Sequence, residues 1–365
     1  MVVPVIDVTI KNPRDLQTTA TVERHSEIRL LDSVRASRSF TPGLLLIAGV
    51  AVCAFLIWRS GPELIGSLLL QIGWIGLPMM IVPHALVIVF ETSGWWFAFP
   101  QSGCPIKPLK LARFIVVAKA IQLITPSISQ AGELLKIQLL RLTGLMSEIS
   151  VASVIASKTT ITLAELLFLS LGFAAALTHV TIEPALVTFA TVGILMMCIA
   201  VAAILAWQRM GLFRPFVWLS RRLGMFTAFR DRYEQFMSCT DALLRDYLNH
   251  RTRLYLSGVG YFLAWFSGVL EAWVFLSILG LTNDFLSALL VQVWLVLVTR
   301  VTAFIPGNVG AHEAGIVMMF SFLGLGADSA MAFALLRRVR QIVWIALGLG
   351  LLAKFSRVKP VLLSG

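Results

Sequence analysis

Glu91, Lys119, Glu133, Lys136, Lys158, Glu165, Glu271, Arg300, His312, Glu313, Arg337, Arg338 and Arg340 all fall within stretches that are otherwise apolar. An ionisable group in hydrocarbon is expensive, so each marks a site, a pathway or a structural ion pair. Two of the carboxylates stand beside helix breakers. Glu133 follows Thr125, Pro126, Ser127, Ser129, Gln130 and Gly132, and Glu313 follows Pro306, Gly307, Asn308, Gly310 and His312. Proline and glycine interrupt the backbone ladder there, so each stretch reads as two half-helices meeting at a broken turn. Half-helices beginning near Ala131 and Gly310 aim free N–H groups and a positive dipole end inward, which suits an anion. With Lys158, Arg300 and Arg337, they offer a site for a phosphate or another acidic headgroup. The candidate path is Thr125, Pro126, Gln130, Glu133, Lys158, Arg300, Pro306, Gly307, Asn308, Gly310, His312, Glu313, Arg337 and Arg340.

A plainer reading stands beside this one. Glu133 and Glu313 cap their own helices and pair with arginines, Glu91 and Glu271 pair structurally, and His84 is a satisfied packing histidine. Arg337 lies about 12 Å into its crossing at 1.5 Å per residue, too deep for easy snorkelling, and needs a partner. Glu313 is the expected one. Arg337 and Arg340 share a helix face at their i, i+3 spacing, while Arg338 points elsewhere.

The elements that carry these residues are membrane helices. The chain has 365 residues, 58% hydrophobic and 13% charged, with mean hydropathy +0.86. Runs of about 20 apolar residues recur, each long enough for a hydrocarbon core about 30 Å thick. The period-two alternation of barrel strands is absent. The expected fold is an all-α integral membrane protein with about six crossings, at 42–58, 64–93, 148–177, 184–208, 254–280 and 329–353, plus broken or re-entrant helix pairs at 109–143 and 285–325. Residues 1–41 and 356–365 form cytoplasmic tails around a polytopic domain at 42–355.

The net charge of +11 is read as a topology signal and anionic-lipid contact rather than as nucleic-acid binding. The 209–253 loop is rich in arginine, whereas 178–183, 281–284 and 324–328 hold no Lys or Arg. The positive-inside rule therefore puts both termini in the cytoplasm of a cell in whose inner, cytoplasmic membrane the chain is multi-pass. Trp218, Tyr233 and Phe236 among those arginines read as interfacial amphipathic helices, or as an ordinary basic loop.

A shift of 180 residues brings the chain onto itself. Glu91 falls on Glu271, Pro126 on Pro306, Glu133 on Glu313, Gly144 on Gly324, Glu148 on Asp328 and Lys158 on Arg338. The units span about 64–178 and 254–353, joined through 184–208 and the 209–253 loop. Three crossings separate the broken stretches, and an odd number turns the second unit upside down. Inverted repeats with discontinuous helices are a transporter signature.

Several classes fall away. No GxxxxGK[ST], HExxH or GxSxG is present, so no ATP-driven or zinc-peptidase chemistry is expected. Cys53, Cys104, Cys198 and Cys239 are scattered, which argues against a disulfide framework or a zinc site. No cofactor, metal or catalytic residue is assigned. The expected partners are membrane lipids and lipid-biosynthesis enzymes, not nucleic acid.

The run Phe304-Ile305-Pro306-Gly307-Asn308-Val309-Gly310-Ala311-His312-Glu313-Ala314 resembles the Pro-Gly-Gly-x-Gly-x-x-Glu signature of the lysylphosphatidylglycerol synthase transmembrane, or flippase-like, family. Thr125-Pro126 to Gly132-Glu133-Leu134 resembles its earlier Thr-Pro…Gly-Glu signature, and the resemblance covers about residues 42–355. Leu336-Arg337-Arg338-Val339-Arg340-Gln341 is similar to the subgroup associated with hopanoid biosynthesis. Asn308 departs from the usual second glycine, and Ser127-Ile128-Ser129-Gln130 lengthens the first motif. The resemblance implies lipid translocation or lipid-linked envelope metabolism. Family members that transfer lysine carry a soluble catalytic domain after the membrane part. The sequence ends at Gly365, so that transfer is not expected of this chain. A flippase for a hopanoid or an anionic or lipid-linked envelope component is the leading expectation. An integral membrane transferase, with Glu133, Glu313 or His312 as base, and a non-catalytic partner in a biosynthetic complex are the alternatives.

Overall fold

A computed structural model describes residues 51, 54, 58, 62–100, 104–125, 131–179, 184–222, 230–281, 284–302 and 310–357. The expected tails, most of the 42–58 crossing and both broken turns lie outside them. Among the described residues the regular structure is helical throughout: α1 (Pro62–Phe97), α2 (Pro108–Ile124), α3 (Ala131–Arg141), α4 (Ser147–His179), α5 (Pro184–Met210), α6 (Arg214–Arg222), α7 (Arg230–Asn249), α8 (Arg251–Ile278), α9 (Phe285–Val301), α10 (Ala311–Phe322) and α11 (Ala327–Arg357).

Among the described residues, length and apolarity single out four spans: Pro78–Phe97, Ser147–Leu177, Thr191–Met210 and Arg251–Ile278. This is an all-α membrane protein. The four fall on the crossings expected at 64–93, 148–177, 184–208 and 254–280. Helix α1 breaks at Gly73, whose φ of 65° is left-handed, and its apolar span starts after the break at Pro78. Helix α11 has 31 residues, long enough to cross, but carries Asp328, Arg337, Arg338, Arg340 and Lys354. A helix this charged is stable in a membrane only where protein or water faces its charges.

The two interrupted stretches become short helix pairs, α2 with α3 and α9 with α10. Helix α3 has 11 residues and α10 has 12, about 17–18 Å at 1.5 Å per residue. That is little more than half of a core about 30 Å thick. Local chemistry sets their ends. Pro108 opens α2, and Asp284 caps α9 by accepting from the Leu286 and Ser287 N–H groups at 3.2 and 2.9 Å. Gly144 and Gly324, 180 positions apart, end α3 and α10 with φ of 86° and 71°.

Close backbone approach holds the bundle together. Helices α1 and α8 cross where Gly94 meets Gly260, and Ser257 Oγ donates to the Gly94 carbonyl at 2.7 Å. Gly348 of α11 lies against α2, with its Cβ direction aimed at the Val116 carbonyl at 2.9 Å, and Gly172 of α4 lies against Val293 of α9. The long helix of each unit thus packs on the first short helix of the other. Small residues at crossings permit such packing where no hydrophobic effect drives helices together.

Helices α6 and α7 occupy the basic 209–253 loop. Helix α7 seats Leu244, Tyr247 and Leu248 in the core of the first unit. Helix α6 is amphipathic and leaves Phe216 and Trp218 exposed.

Candidate functional site

The carboxylates at the start of α3 and α10 hold matching positions. Glu133 lies 3.1 Å from the Lys136 ammonium and 3.9 Å from that of Lys158 on α4. Glu313 binds Arg338 on α11, with Nε donating at 2.7 Å and Nη2 also engaged. Its other oxygen accepts from the Gly310 N–H at 2.7 Å. Glu313 thus caps its own helix and pairs with an arginine, so part of the N-terminal anion-binding capacity of α10 is already used. Residues that align at the 180-residue shift, Glu133 with Lys158 and Glu313 with Arg338, form equivalent ion pairs.

This corrects the expected partner of Glu313, which is Arg338 rather than Arg337. Successive helical residues are about 100° apart. Arg337 and Arg340 share the face that meets α8, and Arg338 turns to α10. Arg340 pairs with Glu271, Arg337 stands 4.0 Å from the same carboxylate, and His84 Nδ1 lies 2.9 Å from its other oxygen. Arg337 also donates to Gln292 Oε1 at 3.4 Å and lies over the Phe333 ring. Glu271 is 2% exposed. His84 is engaged by this network and packs on Trp344.

Two further carboxylates are paired. Lys119 donates to Glu91 at 2.7 Å, and Arg300 forms a two-point pair with Glu165. Arg300 and Lys158 therefore belong to one charged group along α4, where Lys158 also lies in the fields of Glu133, Lys136 and Glu165. Arg337 belongs to another, around Glu271. The single cradle of Lys158, Arg300 and Arg337 expected from the sequence is two clusters, with no ion pair between them among the described residues. Thr125 ends α2 with its hydroxyl on the Ile121 carbonyl at 2.8 Å. Gly310 starts α10 at φ 88°, and His312 is half-buried beside the arginines. Pro126, Gln130, Pro306, Gly307 and Asn308 lie outside the described residues.

The cluster at Lys158 borders a cavity of about 350 Å³ between α3, α4 and α5, lined by Glu133, Leu134, Ile137, Val154, Ile155, Lys158, Thr159, Thr162, Val201, Ile204 and Gln208. Gln208 was not foreseen; a lone amide before Arg209 looks like any residue at the end of a crossing. Behind the cavity, Ser157 bonds Tyr261 and Thr160 bonds Tyr247 at 2.8 Å, tying α4 to α8 and α7.

Taken together, Lys119, Lys136, Lys158, Arg300, Arg337, Arg338 and Arg340 stand against Glu91, Glu133, Glu165, Glu271 and Glu313. Among these described groups the cations outnumber the carboxylates, an arrangement that can stabilise an incoming anion. The profile of the family described as lysylphosphatidylglycerol synthase TM region matches residues 46–350. No curated protein and no solved structure is detectably similar to the chain.

Proposed function

The chain belongs to the lysylphosphatidylglycerol synthase TM region family, and from that premise we propose that it is a flippase for an amphipathic lipid. The cargo is a hopanoid or an anionic or lipid-linked envelope component, moved across the cytoplasmic membrane. The observation that carries this reading is the cationic surplus between crossing helices. Buried cations beyond what the carboxylates neutralise are costly in hydrocarbon and become favourable when an anionic headgroup passes. The headgroup follows the charged interior while the tails stay in lipid.

The repeated Glu133–Lys158 and Glu313–Arg338 pairs support two equivalent half-sites, one in each unit. With three crossings between the two broken stretches, the second unit is inverted, and the half-sites serve opposite leaflets. Both termini are cytoplasmic in this arrangement. The ion pairs form the resting contacts, and an anionic headgroup competes for Lys158 or Arg338 as it passes.

Purified protein in vesicles, with a panel of labelled lipids, tests the reading. Movement of at least one lipid above protein-free vesicles, with no added donor, is expected. No movement for any lipid, together with a new covalent lipid product when a donor is supplied, identifies a transferase instead.

A further inference from the structure

A histidine of α1 touches two groups that make opposite demands on one nitrogen. His84 Nδ1 lies 2.9 Å from Glu271 Oε2 on α8 and 3.0 Å from Arg340 Nη1 on α11. The carboxylate requires a donor there, and the guanidinium requires an acceptor. No protonation state of the ring serves both. With its hydrogen on Nδ1, a neutral ring serves Glu271 and crowds Arg340. With its hydrogen on Nε2, it serves Arg340 and turns a lone pair to Glu271. An imidazolium donates to Glu271 and repels Arg340 by charge as well. Nε2 has no hydrogen-bond partner among the described residues, and the side chain is 17% exposed, which leaves a place for a proton to enter.

The surroundings make that proton consequential. Glu271 is the carboxylate shared by Arg340 and Arg337, so a charged His84 sets three cations against it. Helix α2 brings Lys119, paired with Glu91 of α1, and α9 brings the neutral Gln292 beside Arg337. Helix α4 joins the cluster through no ion pair among the described residues. Pro83 removes an N–H from the α1 ladder just before His84, where the helix can bend. On α11, Arg338 lies between the two arginines and holds Glu313 at the start of α10. A shift of Arg340 therefore moves the helix that carries one of the two repeated ion pairs. The repeat does not copy the His84 cluster. At the 180-residue shift Glu271 falls on Glu91, but His84 falls on Ala264, Arg337 on Ser157 and Arg340 on Thr160. What both halves do alike does not need it.

We propose that His84, held between Glu271 and Arg340, is a proton-binding site, and that the proton is the coupling ion for lipid movement. This rests on the lipid-transport reading and names its energy source. Intramembrane His and Glu in contact are the usual material of such proton sites. A proton from water adds to Nε2 of the ring whose other hydrogen faces Glu271, forming one N–H bond. The imidazolium holds Glu271 and repels Arg340, and α11 shifts against α1 and α8. When Nε2 gives the proton up on the other side, that bond breaks and Arg340 returns. Proton and headgroup both act on α11, so each changes the affinity for the other.

The test uses the purified full-length protein in phosphatidylcholine vesicles that carry fluorescent phosphatidylglycerol. Potassium and valinomycin hold the membrane potential at zero, and a step of about one pH unit is set across the membrane. The final distribution of the labelled lipid between leaflets is read. Wild type should leave it unequal by up to about tenfold, the worth of one proton over that step. His84→Gln, which cannot carry the proton, should still move lipid but leave it evenly spread. His250→Gln should behave as wild type, and melting curves verify folding. Nitrogen-15 NMR of labelled histidines reads the site itself: the ring signal absent from His84→Gln should move between about pH 5 and 8 in wild type. An even distribution by wild type, an uneven one that survives His84→Gln, or a His84 signal indifferent to pH overturns the proposal. An even distribution reached faster than in protein-free vesicles sinks the coupling and keeps the transport reading. No movement at all sinks both.

Discussion

Lys158 and Arg338 each face the carboxylate that stands 25 residues before them, Glu133 at 3.9 Å and Glu313 at 2.7 Å. The helices around them recur with the same spacing, α3 and α10 beginning at Ala131 and Ala311, and α4 and α11 at Ser147 and Ala327. An ion pair rebuilt in the same place of two half-molecules is the feature on which the lipid-path proposal rests.

Glu313 should couple to Arg338 and not to Arg337. Breaking a buried pair strands a charge and costs roughly 3–5 kcal/mol, whereas removing both partners costs less. In a double-mutant cycle on thermal stability, Glu313→Gln and Arg338→Met should show strong coupling. Glu313→Gln and Arg337→Met should be close to additive. Additivity in the first cycle would remove the pair.

Glu271→Gln should be the most damaging single carboxylate change. It leaves Arg340 and Arg337 without their shared counter-charge at a position where the Glu271 side chain is only 3% exposed. Glu91→Gln releases only Lys119, whose side chain is 33% exposed and can reach water. Membrane abundance of the two variants at equal expression checks the order, and equal abundance would contradict it.

The α1–α8 crossing supplies a packing test. A Cβ on Gly260 would meet the Gly94 nitrogen and Ser93 Oγ at 2.7 Å, while one on Gly258 meets nothing nearer than 4.0 Å. Gly260→Ala should cost about 1–3 kcal/mol, the usual range for overpacking. Gly258→Ala should be nearly silent. Melting temperatures in detergent read the difference.

The topology follows from the arginine distribution. Single cysteines at residues 180 and 284 should label from outside, and one at residue 230 from inside. Cys53, Cys198 and Cys239 are replaced first. Burial pushes the Cys104 thiol up, so it reacts slowly and adds little background. Labelling of residues 230 and 284 from the same side would undo the inverted arrangement.

Much of this architecture was legible in the sequence, because apolar length is a direct physical requirement of a bilayer. The crossing read at 148–177 is helix Ser147–His179, and the one read at 254–280 is Arg251–Ile278. The interrupted stretches announced themselves by proline and glycine. What sequence could not settle is which neighbour each helix face meets. The i, i+3 spacing of Arg337 and Arg340 placed them together, and they do share Glu271. Arg338 was set aside as pointing elsewhere, and elsewhere is Glu313. Gln208 was illegible for a related reason: it bonds Thr159, 49 residues away.

If lipid headgroups cross along the Glu133–Lys158 and Glu313–Arg338 pairs, their rate of movement depends on both cations. Fluorescent anionic lipid is reconstituted with wild type, Lys158→Met, Arg338→Met or Gly258→Ala at matched amounts of folded protein, and its movement between leaflets is timed. Lys158→Met and Arg338→Met should each slow movement about tenfold or more, the effect of roughly 1.4 kcal/mol on a barrier, while Gly258→Ala keeps the wild-type rate. Wild-type rates in both charge variants, or no movement by wild type above protein-free vesicles, would contradict the claim.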